Sequence, residues 1–339
     1  MVLEVFELSK VLEFFKKETV FCVAFVLAVV SCFFVRPSAA YFGYINWRTL
    51  AILLVMMFVV QTLKALDIFD LLVGKLLARV SSVRGLVFVL VFACFFASMI
   101  ITNDISLLTM VPFAIAAFRK IGRESLIIPV VILQTIAANM GSMLLPIGSP
   151  HNIVMYGLSG MDWYTFITTL LPYWIASFVL LLIICFFFPS ASVTSAAVEV
   201  SVDHSGLWKK VVAGVDFMLL LTFVAFFILI GNLKSMPAVN AFFTSFFAGR
   251  ELLCSILACQ VISNVPTAMM LSGFSSNPAD ILIGINIGGL GTLVASMANL
   301  ISYKIYAHEF NATKGKYLLY FTLANILFLL PLVIVYFVF

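Results

Sequence analysis

The chain has 339 residues, of which 64% are hydrophobic and only 10% are charged, and its mean hydropathy is +1.20. That leaves too little polar surface to cover a soluble globule of this size, so a soluble enzyme or binding domain is excluded and an integral membrane protein is implied. The net charge of +4 reflects basic residues sorted among short loops, not a nucleic-acid surface. Six cysteines (Cys22, Cys32, Cys94, Cys185, Cys254, Cys259) lie inside apolar runs without paired spacing and suggest neither a disulfide framework nor a zinc site.

Residues 1–18 intersperse Glu4, Lys10, Glu13, Lys16, Lys17 and Glu18 with apolar positions, the pattern of a helix lying on the membrane, and no cleavable signal peptide is expected. With about 20 residues per crossing, spans are expected near 19–35 and 45–63. Residues 64–80 alternate apolar and charged positions at helical spacing and read as a helix along the cytoplasmic interface. The apolar stretch 85–118 is long for one helix and short for two, and carries Thr-Asn-Asp near its middle. It reads as a re-entrant hairpin that enters to mid-depth and returns to the same side. A span at 124–156 is broken between Pro146 and Pro150, and an unbroken one follows at 163–188.

A polar connector at 193–206 leads to a span at 210–231 and to a shorter, less charged counterpart of the interfacial helix at 236–248. Residues 250–274, with Ser-Asn-Val-Pro near the middle, read as a second hairpin; a single tilted span with a polar kink is the competing reading of that segment alone. An external turn at 275–278, a span at 280–307 broken between Leu290 and Ser296, and a last span at 317–338 complete the series.

Charge separates the two readings. With both hairpins re-entrant, only Arg36, Arg48, Lys234 and Arg250 of the 19 basic residues fall on the outer face. The positive-inside rule makes the other face cytoplasmic, with the N-terminus inside and the C-terminus outside. The chain also repeats itself: Asn139, Gly141, Ser149 and Asn152 recur 147 residues later as Asn286, Gly288, Ser296 and Asn299. Three crossings separate residue 45 from its counterpart at 210, an odd number, so the second copy is expected upside down. The expected fold is therefore an all-α polytopic membrane protein, an inverted repeat with two re-entrant helical hairpins and two broken transmembrane helices. It forms one membrane domain: an interfacial helix and extra span (1–44), repeat 1 (45–188), a cytoplasmic connector (189–209) and repeat 2 (210–339).

Interrupted helices leave backbone groups unpaired, which a bilayer tolerates only where they line a protein-enclosed site. Carbonyls ending one half-helix suit a small cation and amides beginning the next suit an anion. Asn103 and Asn264 supply both donors and acceptors at the two tips, and Thr102, Ser106, Ser263 and Thr267 add hydroxyls. Gly148 and Ala295 add carbonyls at the breaks. Asp104 is the only acidic residue in an interior apolar segment of the first repeat; it binds a cation, relays a proton or caps the second hairpin helix. His151 either titrates, touches the substrate or packs as a neutral polar residue. Asp216, near a helix start, is expected to be structural.

A hairpin tip bearing Asn, followed by Asn139, Gly141, Gly148, Ser149, Pro150 and Asn152, resembles the ion transporter superfamily, which includes divalent anion/sodium symporters, citrate transporters, arsenite permeases and sodium/proton antiporters. The resemblance runs from about residue 45 to the end. In the symporter branch it implies a first sodium site at Thr102, Asn103 and Gly148 and a second at Ser263, Asn264 and Ala295. Substrate contacts would come from Asn103, Asn264, Ser149, Ser296 and Thr267, with Asp104 and His151 nearby, and the family's dimerising scaffold implies a homodimer. The tip Thr-Asn-Asp is instead similar to arsenite permeases and sodium/proton antiporters, because Asp104 stands where the anion symporters have Thr. The resemblance thus implies a secondary transporter of the cell membrane, coupled to sodium or protons and working by an elevator-like motion, with no organic cofactor. It carries either a di- or tricarboxylate-like anion, or a cation in antiport, or arsenite outward. An intramembrane hydrolase would need a nucleophile or acid pair beyond His151 and Asp104, and no phosphate loop supports ATP drive. A passive channel is the remaining class, set apart by flux that does not follow a coupled gradient.

Overall fold

A computed structural model describes residues 18–77, 79–193 and 206–338, which form helices and short connections. The expected N-terminal interfacial helix, and most of the polar connector, lie outside the described residues. The first half comprises α1 (Thr19–Phe34), α2 (Ala40–Tyr44), α3 (Trp47–Ala65), α4 (Ile68–Leu77), α5 (Val83–Ile101), α6 (Asn103–Lys120), α7 (Ile127–Ser142), α8 (Pro150–Ser159) and α9 (Trp163–Phe186). The second comprises α10 (Leu207–Gly214), α11 (Phe217–Ser235), α12 (Pro237–Phe247), α13 (Glu251–Ile262), α14 (Asn264–Ser272), α15 (Pro278–Ile287), α16 (Met297–Glu309) and α17 (Lys314–Val338). From α3 and from α11 onward the two halves run through the same series. Each has a long helix, a short one, two joined at a one-residue tip, two joined across a 3₁₀ turn, and a long last helix.

Among the described residues six helical stretches are long and apolar enough to cross a membrane, so the protein is a multi-pass membrane protein. α12 and α13 meet at 106°, the sharp turn needed to pass from a short lateral helix into a hairpin arm. The helix at 64–80 is shorter than expected, because Asp67 adopts φ 52° between α3 and α4 and breaks the pattern there.

The register of the first hairpin follows from its hydrogen bonds. Ser106 Oγ donates to the Cys94 carbonyl at 3.2 Å, and Gln134 Nε2 on α7 donates to both Leu90 and Met110 carbonyls at 3.4 and 3.2 Å. Both pairs are centred on residue 100, so α5 and α6 are antiparallel arms that fold back just before Thr102. Their 19 and 18 residues give each arm a length of about 27–28 Å at 1.5 Å per residue, longer than a hairpin stopping at mid-depth requires. In the second hairpin Cys259 and Thr267 interact through their side chains, a pair centred on Ser263.

Aromatic residues fix the arms against the last helix of the first half. Phe95 lies 5.1 Å from Trp174, and Phe92 lies 5.1 Å from Phe178, across α5 and α9. At the far end of the chain Tyr306 stacks on Tyr317 at 4.6 Å, joining α16 to α17. On the other flank, buried Ala24 and Ala28 let α1 approach α11 closely. Asn232 Nδ2 then donates to Ser31 Oγ and to the Tyr41 hydroxyl, both at 2.9 Å, tying α11 to α1 and α2. α8 packs on α3, where Asn46 Nδ2 donates to the Gly157 carbonyl at 3.5 Å, and α14 packs on α11.

Candidate functional site

Helices that start at the rims are capped as their sequences direct. Asn46, Ser82, Asp162 and Asp216 accept the amide of the residue three positions on, at 2.9–3.3 Å. Asp216 therefore has the structural role expected of it. Four interior helices differ. α6, α8, α14 and α16 begin after Thr102, Ser149, Ser263 and Ser296, all good capping types, yet none of these side chains caps its helix. Apart from Pro150, which has no N–H, and Asp104, whose amide donates to Asn103 Oδ1, the first-turn amides have no side-chain acceptor among the described residues, and each helix end carries a partial positive charge.

Both tips also hold the same uncommon backbone. Thr102 has φ 67°, ψ 155° and Ser263 has φ 72°, ψ 161°, a region populated almost solely by glycine, where a side chain costs about 1–3 kcal/mol. That conformation turns the chain within one residue and starts the next helix immediately. Strain of this kind persists only where surrounding structure over-determines it, and it clusters at functional sites.

The helix starts converge on the ends of α7 and α15 through a buried asparagine network. Asn139 Oδ1 accepts from Asn103 Nδ2 and from Ser296 Oγ, each at 3.1 Å, while Asn139 Nδ2 donates to Asn299 Oδ1 at 2.7 Å. Asn286 Nδ2 donates to Asn152 Oδ1 at 2.8 Å. Residues 139 and 152 of the first half correspond to 286 and 299 of the second. The 139–299 bond therefore becomes the 286–152 bond when the halves are exchanged, the reciprocity of a two-fold contact. Asn152 Nδ2 goes on to the Ser142 and Met143 carbonyls at 3.3 and 3.2 Å, and Asn299 Nδ2 to the Gly289 and Thr292 carbonyls at 2.9 and 3.0 Å. Each thereby binds carbonyls left free where a helix ends.

Around this network the halves differ. His151 Nε2 lies 3.1 Å from Ser149 Oγ and 3.2 Å from Asn286 Oδ1, so it fills on one side the place that Asn103 fills on the other. Because Asn286 Nδ2 donates to Asn152 and to the Leu282 carbonyl, its Oδ1 is the atom facing His151, and Nε2 carries the proton. At the first tip Asp104 is partly buried. Its amide donates to Asn103 Oδ1 at 3.1 Å, and its own Oδ1 is buried with no partner. Asp216, exposed at the start of α11, is close enough to act on it electrostatically. At the second tip Asn264 accepts from Ser263 Oγ at 3.4 Å and lies beside Gly289.

Among the other expected residues, the Ser106 hydroxyl is given to Cys94 and that of Thr267 to the Ser263 carbonyl at 2.8 Å. Gly148 and Ala295 are buried in matching 3₁₀ turns that close on Leu145 and Thr292. The sequence reading passed over Gln260, whose side chain meets the second break at several points. An amide in an otherwise apolar helical arm was its only signal. At the far ends of α6 and α16, Arg119 and Glu309 form an ion pair at 2.8 Å, and the hydrogen bond from Arg119 holds the Glu309 carboxyl below its ordinary range.

A family model described as citrate transporter matches residues 11–280. The inner membrane protein YbiR of Escherichia coli K12 is 29% identical over 300 residues, covering 77% of this chain and 80% of that protein. The uncharacterized transporter MJ0456 of Methanocaldococcus jannaschii is 27% identical over 333 residues, covering 86% of this chain and 89% of that one.

Proposed function

The chain belongs to the citrate transporter family, and on that premise we propose that it is a secondary active transporter that moves a small carboxylate-like anion across the cell membrane, coupled to sodium or protons. The observation that carries this reading is the set of four uncapped helix starts, at Thr102, Ser149, Ser263 and Ser296, gathered on one buried asparagine network. Amides with a helix end behind them receive carboxylate oxygens, and carbonyls at the same breaks receive a small cation. Asn103, Asn264, Ser149, Ser296, Thr267 and His151 are the substrate-binding candidates. Thr102, Asn103 and Gly148, together with Asp104, are the candidates for the coupling ion.

The halves insert in opposite senses, with the N-terminus inside. α5–α9 and α13–α17 then move as one body against α1–α3, α10 and α11. The crossed Asn139–Asn299 and Asn286–Asn152 bonds support this, because they lock the two repeats into one unit. α8 and α14 rest on α3 and α11, which are proposed to stay in place.

The test is uptake into proteoliposomes of labelled citrate, succinate or arsenite under imposed sodium or pH gradients. Asn103→Ala and Asn264→Ala should each abolish uptake while the protein remains folded, and retained uptake with unchanged ion dependence would reduce both residues to helix-start fittings. A second reading, cation/proton antiport or arsenite efflux, is favoured by the unpartnered carboxylate oxygen of Asp104. Accumulation against a cation gradient, without anion uptake, would select it.

A further inference from the structure

The two breaks are built alike, but the second is occupied by a side chain. Gln260 sits on α13 one turn before the tip. Its Nε2 lies 3.1 Å from the Ile256 carbonyl, 2.9 Å from that of Gly288 and 3.0 Å from that of Leu290. The orientation of the amide is fixed by its other end: Oε1 accepts the Thr292 amide at 2.9 Å, and an N–H can only donate. The Thr292 hydroxyl closes the loop on the Gln260 carbonyl at 3.2 Å. Three carbonyl oxygens thus converge on one nitrogen that has only two hydrogens to give.

Carbonyls from a helix end and an adjoining arm, aimed at one point, are how a backbone holds a small hard cation in place of its water. Here the partial positive charge of the amide stands at that point. The first half has no single side chain in that place. Counting from the tips, Met99 corresponds to Gln260 and carries no donor; of the matching carbonyls, that of Phe95 accepts Ser98 Oγ at 2.9 Å and that of Met143 accepts Asn152 Nδ2 at 3.2 Å, while among the described residues no side chain donates to the carbonyl of Gly141, the counterpart of Gly288. The unpartnered Asp104 oxygen lies at that same first tip.

We propose that the Gln260 amide nitrogen is a built-in substitute for a cation at the second break, so that the chain couples through a single cation or proton at the first tip. This rests on the transport reading above and narrows its ion stoichiometry. The experiment counts bound sodium on the purified full-length chain in lipid nanodiscs, using radioactive sodium with choline as the replacement ion at constant ionic strength. Wild type should bind no more than one sodium per chain, without cooperativity. Gln260→Ser removes the amide but keeps an oxygen, and should gain about one sodium per chain. Two sodium ions on the wild type, or a folded Gln260→Ser chain with no gain, would overturn the proposal. If Gln260→Ser fails to fold, Gln260→Glu decides at pH 8.5. A carboxylate facing three carbonyls needs a cation, so sodium should raise its melting temperature well beyond any rise in the wild type; equal responses would overturn the idea. A purely structural Gln260 would change stability without changing the sodium count. Failure of the transport reading itself would appear elsewhere, as wild-type vesicles whose uptake ignores imposed gradients.

Discussion

The crossed asparagine bonds predict a specific pattern of energetic coupling. Asn139 makes three buried side-chain hydrogen bonds, to Asn103, Ser296 and Asn299. Hydrogen bonds between membrane helices average about 0.6 kcal/mol, with a maximum near 1.7, so Asn139→Ala should cost roughly 2 kcal/mol in unfolding free energy. Double-mutant cycles separate the parts. The Asn139–Asn299 and Asn286–Asn152 bonds are 2.7 and 2.8 Å long and fully enclosed, which puts both couplings in the upper part of that range, about 1–1.7 kcal/mol. The cycle Asn139→Ala with Asn152→Ala, two residues of the same half that share no bond, should be additive within about 0.3–0.5 kcal/mol. Steric trapping of the chain in lipid bicelles measures all three. Coupling within a half, with none across the halves, would refute the crossed arrangement and the single moving body derived from it.

Asp104→Asn keeps size and hydrogen bonding but removes the charge. If the carboxylate carries the coupling proton, the pH dependence of uptake should flatten while substrate still binds; if it holds a cation, sodium affinity should fall and pH dependence remain. An Asn variant with wild-type pH and sodium profiles would remove the charge from the mechanism. Thr102→Gly and Ser263→Gly relieve a positive φ and should stabilise the fold by up to about 1–2 kcal/mol after glycine's own entropic cost; a lower melting temperature would mean that the tip is not strained. Cysteines placed singly at 119–124 and at 275–277 should label from opposite sides of a vesicle, inner and outer respectively. Of the native cysteines Cys22, Cys94, Cys185 and Cys259 are buried, so Cys32 and Cys254 are the ones whose replacement matters for that assay.

Much of this arrangement was legible in the sequence, because a polar tip in an apolar run has few physical explanations in a bilayer. The tips at Thr102 and Ser263, the breaks before Pro150 and Met297, and the short helix at 237–247 all fall where the sequence places them. The pairing of the asparagines was not legible. Asn139 and Asn299 are 160 residues apart and Asn286 and Asn152 are 134 apart, and a repeated letter does not state which copy it faces. Gln260 was missed for a related reason: its partners are backbone carbonyls, which have no signature in side-chain identity. The first hairpin runs slightly beyond 85–118 because its ends carry charges at Arg84, Arg119 and Lys120 that the helices nonetheless include, the cap at Ser82 marking the true start.

Two halves made of identical parts would give a carrier whose two end states are interchangeable and equally populated. This chain departs from that identity at His151, opposite Ala298, and at Gln260, opposite Met99. Both contacts, His151 with Asn286 and Gln260 with the carbonyls of Gly288 and Leu290, lie among the helices proposed to move together, so they would travel unchanged and favour neither side. What they make unequal is the chemistry of the two breaks, one fronted by an imidazole and the other by an amide.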